Sequence, residues 1–357
     1  MGSLSGSLGP SVWAVSDGRA GNAAQVRALV SALGEPGRWM RIAHIAGEAH
    51  RADPIVLTPG APWTWFPADQ WVAPLQSLPK AQRAQLTPPW PTLWIAAGRR
   101  SAPFTKLVRE QSKGQTFTVQ ILDPYIDPSN FDLVVTPEHD GLAGENIVTT
   151  VGSPAYFSPD RMEEAGQLFA PLADDTNRSA VVILGGHSKT HRFTPAAAAK
   201  LEAQLRDLSR QGWRLRITVS RRTPVEIIAQ FRKMADETGN LFWSGAQDGP
   251  NPYLAWLMFS KAALVTEDSA NMLSEAAWHS LPVHIVPLEG KAEKFDRLHE
   301  TLIARGAARR FTGSIDQWTY EPLREADRVA DLIVEKLLER HPAPAFGSGF
   351  VMPSWMD

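Results

Sequence analysis

The sequence predicts a two-domain α/β protein, with two doubly wound, Rossmann-like parallel sheets facing a central cleft. Two observations carry this. Short apolar runs alternate with stretches of helical periodicity, and the strand ends run into Gly, Asp, Ser or Pro. The alternation also halts at a proline-containing polar stretch and then restarts. A chain of 357 residues is long enough for two domains of ordinary size. The expected division is a first domain over 11–155, a linking region over 156–177, and a second domain over 178–321. A helix over 322–341 is expected to cross back onto the first domain.

In the first half, residues 12–15 read as a buried strand. The loop Ser16–Asp17–Gly18–Arg19–Ala20–Gly21–Asn22 follows, then a helix with Ala23, Val26, Val30 and Leu33 on one face. Residues 93–97 form a second strand closed by Gly98, and Pro103 suits the first turn of the next helix. Strands at 117–122 and 133–135 complete the run. The stretch from Pro59 to Trp94 holds Trp63, Trp65, Trp71, Trp90 and Trp94 among many prolines. It reads either as a packed irregular excursion or as an aromatic face for a sugar or lipid acceptor. The polar run Asp174–Asp175–Thr176–Asn177 marks the linking region.

The second half restarts with a strand at 181–184 and the loop Gly185–Gly186–His187–Ser188–Lys189–Thr190. Thr194 and Pro195 open a helix whose apolar face runs Ala198, Leu201, Leu205, Leu208. After a strand at 215–219 come Ser220–Arg221–Arg222 and a capping box, Thr223 to Glu226. A strand at 263–266 leads into Glu267–Asp268–Ser269–Ala270–Asn271 and a helix containing Glu275, and 281–286 is the next strand. Leu323, Ala326, Ala330, Ile333 and Leu337 mark a last amphipathic helix, and the tail after Pro342 looks irregular.

Thirty-six basic and 38 acidic residues leave a net charge of -2, so no bulk field points to nucleic acid. With no cysteine, disulfides and thiol nucleophiles are excluded, which fits a reducing compartment. The amino terminus lacks the features of a signal peptide, and no apolar run approaches the length of a membrane helix. The expected location is the cytoplasm, with peripheral contact at the inner membrane open.

Ligands of doubly wound sheets bind beyond the carboxyl ends of the strands. Three loops of the second half lie there and, on this reading, open helices whose free N–H groups favour an anion. Gly185, Gly186, Ser188 and Lys189 are candidates to cradle a phosphate. Arg221 and Arg222 would neutralise a diphosphate, Asp268 and Ser269 stand at the third loop, and Glu275 would accept from ribose hydroxyls. Gly-Gly after a strand is equally a tight turn, and Arg-Arg equally a solvated surface. It is the three loops together that point to a nucleotide.

P-loop, dinucleotide and HExxH motifs are absent, as is an Asp-x-Asp pair. No metal and no cofactor are therefore expected, with protein cations and helix ends stabilising the leaving diphosphate. On the acceptor side stand Arg19, Gly21, Asn22, Arg99 and Arg100. A transfer with inversion needs a base, for which Asp17 is the first candidate and His139, Glu138 and Asp140 the others.

The stretches VWAVSDGRAGNAAQ, LWIAAGRRSAP, FTVQILDPYIDPSNFDLVVTPEHD, ILGGHS, SRRTP, VTEDSANMLSEAA and RRFTGSIDQWTYEPL run from residue 12 to about 323. Together they resemble the mitochondrial fission family named for the elongated-mitochondria phenotype of plants, in its bacterial branch. The resemblance implies a glycosyltransferase-B fold. Bacterial members look like glycosyltransferases of lipopolysaccharide or lipooligosaccharide assembly, some carry a nucleotide-sugar epimerase label, and plant members are described as recruiting a dynamin-related protein. The segment from Val265 to Pro287 is similar to the donor site of the transferase that forms lipid II, which implies Ser269 at the diphosphate and Glu275 at the ribose. The first loop, SDGRAGN, departs from that transferase's longer run of glycines.

Three functions follow as expectations: transfer of a sugar from a nucleotide-diphosphate sugar to an envelope glycolipid or saccharide, a nucleotide-sugar 2-epimerase, or a non-catalytic interaction protein.

Overall fold

The computed structural model describes residues 9–46, 53–173 and 178–341. The polar run at 174–177 and the tail from 342 lie outside the described residues.

The first sheet has six parallel strands in the order β2-β1-β3-β4-β5-β6. They are β1 (Gly9–Ser16), β2 (Ile55–Val56), β3 (Pro91–Ala97), β4 (Phe117–Ile121), β5 (Leu133–Pro137) and β6 (Ile147–Thr150). Helices α1 (Ala20–Leu33), α2 (Pro36–Ala46), α3 (Lys80–Gln85) and α4 (Ala102–Gln111) connect them, and α5 (Pro159–Leu168) follows. β3 and β4 are buried along their whole length; β3 accordingly reads as an unbroken apolar run over 93–97, whereas β4 alternates and buries Thr118 and Gln120 on its second face.

The second sheet, again six-stranded and parallel, has the order β10-β9-β7-β11-β12-β14. Its strands are β7 (Ser179–Leu184), β9 (Arg214–Val219), β10 (Leu241–Trp243), β11 (Ala262–Thr266), β12 (Val283–Val286) and β14 (Ala308–Arg310). A separate antiparallel pair joins β8 (His191–Arg192) to β13 (Glu289–Gly290). The helices are α6 (Pro195–Arg210), α7 (Val225–Thr238), α8 (Tyr253–Phe259), α9 (Ala270–Trp278), α10 (Glu293–Ala304) and α11 (Glu325–Arg340).

The helix α11 lies against α1 and α2 of the first lobe. It buries Ala326, Val329, Ala330, Ile333, Val334 and Leu337, and Arg38 of α2 pairs with its Asp327 and Asp331 at 2.9 and 2.7 Å. Thr194 caps α6 by accepting from the Ala197 N–H at 3.2 Å, with Pro195 in the first turn. The capping box expected at Thr223 does not form. Its hydroxyl instead donates to the carbonyls of Leu184 and Gly185 at 3.1 and 2.5 Å, so Thr223 fastens a neighbouring strand end.

The tryptophan-rich excursion between β2 and β3 divides. Trp90 and Trp94 are buried, and the indoles of Trp63 and Trp71 donate to Val72 and Phe66 carbonyls within the segment at 2.8 and 3.2 Å. Trp65, Phe66 and Val72 form its exposed apex, at 76, 54 and 82% exposure.

Candidate functional site

The strand orders locate two crevices. In the first sheet the chain reverses its direction of travel between β1 and β3, and in the second between β7 and β11. Ligands of open parallel sheets lie beyond the strand ends at such switch points. The loops there are Ser16–Asn22 and Gly98–Ser101 in one lobe, and Gly185–Lys189 and Glu267–Ser269 in the other. The two crevices meet. Asn271, in the first turn of α9, donates to the Gly21 carbonyl at 3.1 Å and accepts from Gln25 at 3.2 Å.

In the first lobe, Asp17 Oδ1 accepts from Asn22 Nδ2 at 2.8 Å and from the Arg19 N–H at 3.2 Å. Its Oδ2 is buried without a hydrogen-bond partner, and the Arg19 guanidinium stands 4.0 Å away. Gly98 allows this approach. Its φ is +98°, and a Cβ there would fall 2.3 Å from Asn22 Nδ2 and 2.5 Å from Asp17 Oδ2. Arg99 is exposed and stacks over Tyr125, while Arg100 is half-buried in the same loop.

The Gly185–Gly186 loop does not offer a phosphate cradle, which corrects the expectation for Gly185, Gly186 and Ser188. Gly185 N–H donates to Thr266 at 2.7 Å and Gly186 N–H to Asp268 at 3.2 Å. His187 N–H goes to the Arg222 carbonyl and Ser188 N–H to that of His191. Nor does this loop open a helix, because β8 intervenes before α6. The glycines are required for packing. A Cβ on Gly185 would fall 1.9 Å from Asp268, and one on Gly186 would fall 2.0 Å from the Arg222 carbonyl. Asp268 is likewise a fastener, contrary to its expected place on the ligand. Its side chain is fully buried, accepting from Thr266 at 2.7 Å and pairing with Arg222 at 2.8 Å. Lys189 and Arg221 are exposed.

The third loop does open a helix. Ser269 is the N-cap of α9, its hydroxyl accepting from Met272 N–H at 3.4 Å. The N–H groups of the first helical turn have no intrahelical acceptors and carry the positive end of the helix dipole.

Glu275 lies on the same α9 face as Asn271, one turn further, and lines a cavity of about 170 Å³ between the lobes. Arg27 and Ser31 of α1, Phe157, Arg161 of α5 and Tyr253 of α8 form other parts of its wall. Tyr253 donates to Glu275 Oε2 at 2.5 Å. Burial pushes the Glu275 carboxyl up to about 7, against the opposing pull of the Tyr253 hydrogen bond and the Arg161 charge.

Glu138, His139 and Asp140 engage α10 of the second lobe. Arg297 donates to the His139 carbonyl at 3.0 Å, Lys294 pairs with Asp140 at 2.5 Å, and Arg305 stands 3.8 Å from Glu138. His139 is buried, which holds its imidazole down at about 4 and hence neutral. Among the described residues no group of three or more His, Asp or Glu is placed to hold a metal ion.

Sequence reasoning missed Tyr253, Arg161 and Gln25. Arg161 falls in the expected linking region and Tyr253 in a stretch to which the sequence reading assigns no element, and only the packing of α5, α8 and α1 around α9 brings them together.

Two facing doubly wound lobes, their crevices opposed and the final helix returned to the first lobe, make this a glycosyltransferase-B fold. Among solved structures it is similar to the UDP-GlcNAc 2-epimerase of Methanocaldococcus jannaschii, with a TM-score of 0.52 and 11% identity, covering 91% of this chain and 99% of that one. A model of the family described as mitochondrial fission ELM1 matches residues 20–337, and the chain belongs to that family. It is 26% identical to the mitochondrial fission protein ELM1 of Arabidopsis thaliana over 273 residues, 69% of this chain and 64% of that protein. The chain thus spans just under two thirds of the plant protein's length. An uncharacterised protein of Rickettsia prowazekii (strain Madrid E) is also 26% identical, over 66% of this chain and 77% of its own length. Among the described residues no helix is long and apolar enough to cross a membrane.

Proposed function

We propose that the protein is a glycosyltransferase that moves a sugar from a nucleotide-diphosphate sugar to a hydroxyl of an envelope glycolipid or saccharide. The observation that carries this reading is the meeting of the α9 N-terminus with the Asp17 loop, through Asn271 and Gly21. It sets an anion-favouring helix end beside a buried carboxylate oxygen that has no donor. The diphosphate would lie at Ser269 and the first turn of α9, with the exposed Arg221 and Lys189 as cations. Glu275 would accept from the ribose hydroxyls. Asp17 would take the proton of the acceptor hydroxyl as its oxygen forms the bond to the anomeric carbon, while the bond from that carbon to the diphosphate breaks. The leaving diphosphate carries the charge, and the helix end and cations stabilise it without a metal. The likeness of fold to a UDP-GlcNAc 2-epimerase supports a nucleotide-sugar ligand as the first to try.

The test is ligand-observed NMR with UDP-sugars, without metal, on the protein and on an Arg221→Ala, Glu275→Ala variant. Binding that the variant loses supports the donor site. No binding to the folded protein at millimolar concentration would overturn it. Incubation without an acceptor separates the 2-epimerase alternative, which alone would produce a C2 epimer. A non-catalytic interaction role is favoured by one observation, the exposed Trp65–Phe66–Val72 apex. Loss of cellular activity on replacing Arg221, Arg222 and Glu275 together would count against that role.

A further inference from the structure

The cavity between the lobes contains a pair of which the donor reading uses only one member. Tyr253 and Glu275 sit on different helices, α8 and α9, with the phenol donating to one carboxylate oxygen only. No described residue hydrogen-bonds Glu275 Oε1, and Glu275 lines the open space. The rest of the wall comes from several elements: Asn271 from α9 itself, Arg27 and Ser31 from α1, Tyr156 and Phe157 from the connecting segment, Arg161 from α5. At about 170 Å³ the space is of the order of one sugar ring.

We propose that Tyr253 is a positioning residue for the nucleotide's ribose: it holds Glu275 by Oε2 so that Oε1 faces the cavity to accept from a vicinal diol. This rests on the donor reading given above. A carboxylate anchored by one oxygen presents the other to the diol, and its charged form accepts from the two hydroxyls more strongly than the protonated carboxyl does. The groups that bear on Glu275 are few. Tyr253 faces it from α8 and Arg161 from α5, and only these two oppose its protonation. From α1, Arg27 is held by Asp53 at 3.1 Å, and Tyr156 from the connecting segment is hydrogen-bonded to Glu35. Just past the end of α9, His279 is kept neutral by burial, and Arg324, at the start of α11, stacks over Trp278 of α9. Burial therefore carries the Glu275 carboxyl up to about 7, and the Tyr253 hydrogen bond holds it lower than burial alone would.

The consequence is a donor affinity that depends on pH through one identifiable residue. A UDP-sugar is a suitable probe because its diphosphate diester does not titrate between about pH 5.5 and 8.5. Its affinity for the full chain should weaken as pH falls through about 7, where Glu275 takes up its proton, by about tenfold per unit at most. Tyr253→Phe removes the hydrogen bond that favours the charged form, so the same fall should begin at a higher pH. Glu275→Gln should bind more weakly, with a flat profile.

Selective carbonyl-¹³C labelling of glutamate, assigned through the Glu275→Gln variant, reads the Glu275 midpoint in the free protein. That midpoint should rise in Tyr253→Phe, a change that a purely structural tyrosine would not produce. Tyr253→Phe with the wild-type midpoint and the wild-type binding profile would overturn the proposal. Failure of UDP-sugars to bind at any pH, with Glu275 titrating as stated, would instead overturn the donor reading on which the ribose assignment depends.

Discussion

Replacing Asp268 with alanine should unfold the second lobe's crevice without touching any ligand. The buried carboxylate joins three elements: it accepts from Thr266 at 2.7 Å and from Gly186 N–H at 3.2 Å, and pairs with Arg222 at 2.8 Å. Hydrogen bonds to a charged group are worth about 1.5–3 kcal/mol each, and Gly186 N–H would be left buried and unpaired. The Arg222 side chain is 42% exposed and returns to water, so its share is small. The expected loss is about 3–5 kcal/mol, mostly from the two inward bonds. At ~2–4 °C per kcal/mol for a lobe of this size, Tm should drop by roughly 6–20 °C. Thermal unfolding followed by tryptophan fluorescence reads this directly. Asp268→Asn keeps one acceptor and should fall between. A drop of less than ~3 °C in Asp268→Ala, or an equal drop in Arg222→Ala alone, would refute the reasoning, because the exposed ion pair and not the inward bonds would then hold the loop.

Other expectations follow from the same contacts. Gly98→Ala places a Cβ 2.5 Å from Asp17 Oδ2 at a φ of +98°, and should cost about 2–4 kcal/mol in urea unfolding while displacing Asp17. His299 is fully buried and held down at about 4, chiefly by burial, with Nε2 toward the Glu267 carbonyl and Nδ1 toward Arg310. Because the unfolded chain binds the proton first, stability from this group is complete above about pH 6.5 and is lost as pH falls toward 4. His299→Gln should flatten that part of the stability–pH curve. Lys294→Ala with Arg297→Ala should raise hydrogen exchange around residues 138–141, where α10 grips the first lobe. Arg38→Ala should loosen α11, seen as faster amide exchange over residues 325–340 with little change in the second lobe.

Helices with a wide apolar face were legible in the sequence. The period that puts Ala198, Leu201, Leu205 and Leu208 on one side of α6 is a local property, and all four are buried. The strands β2, β10 and β14 were not, because two or three residues carry no period and take their pairing from a neighbour already in place. The glycine pair at 185–186 was visible, but the fate of its N–H groups was not. That depends on Thr266 and Asp268, some eighty positions away, which only sheet order brings alongside. The Glu138–His139–Asp140 stretch shows a related limit: its residue types suit catalysis, while its surroundings are supplied by α10. Glu275 was picked out from its place on the helix, whereas Tyr253 needed the crossing of α8 and α9 to be seen.

The return of α11 to α1 and α2 bears on how the protein is made. The first lobe's sheet is fully synthesised by Thr150, yet the apolar stripes of α1 and α2 that α11 covers stay open until residues 325–340 have left the ribosome. Throughout translation of the second lobe, a nascent chain would carry this unfilled groove, the kind of surface that chaperones hold and that neighbouring chains on a polysome can join. A ribosome stalled before Glu325 would release a molecule with two complete sheets and one open seam.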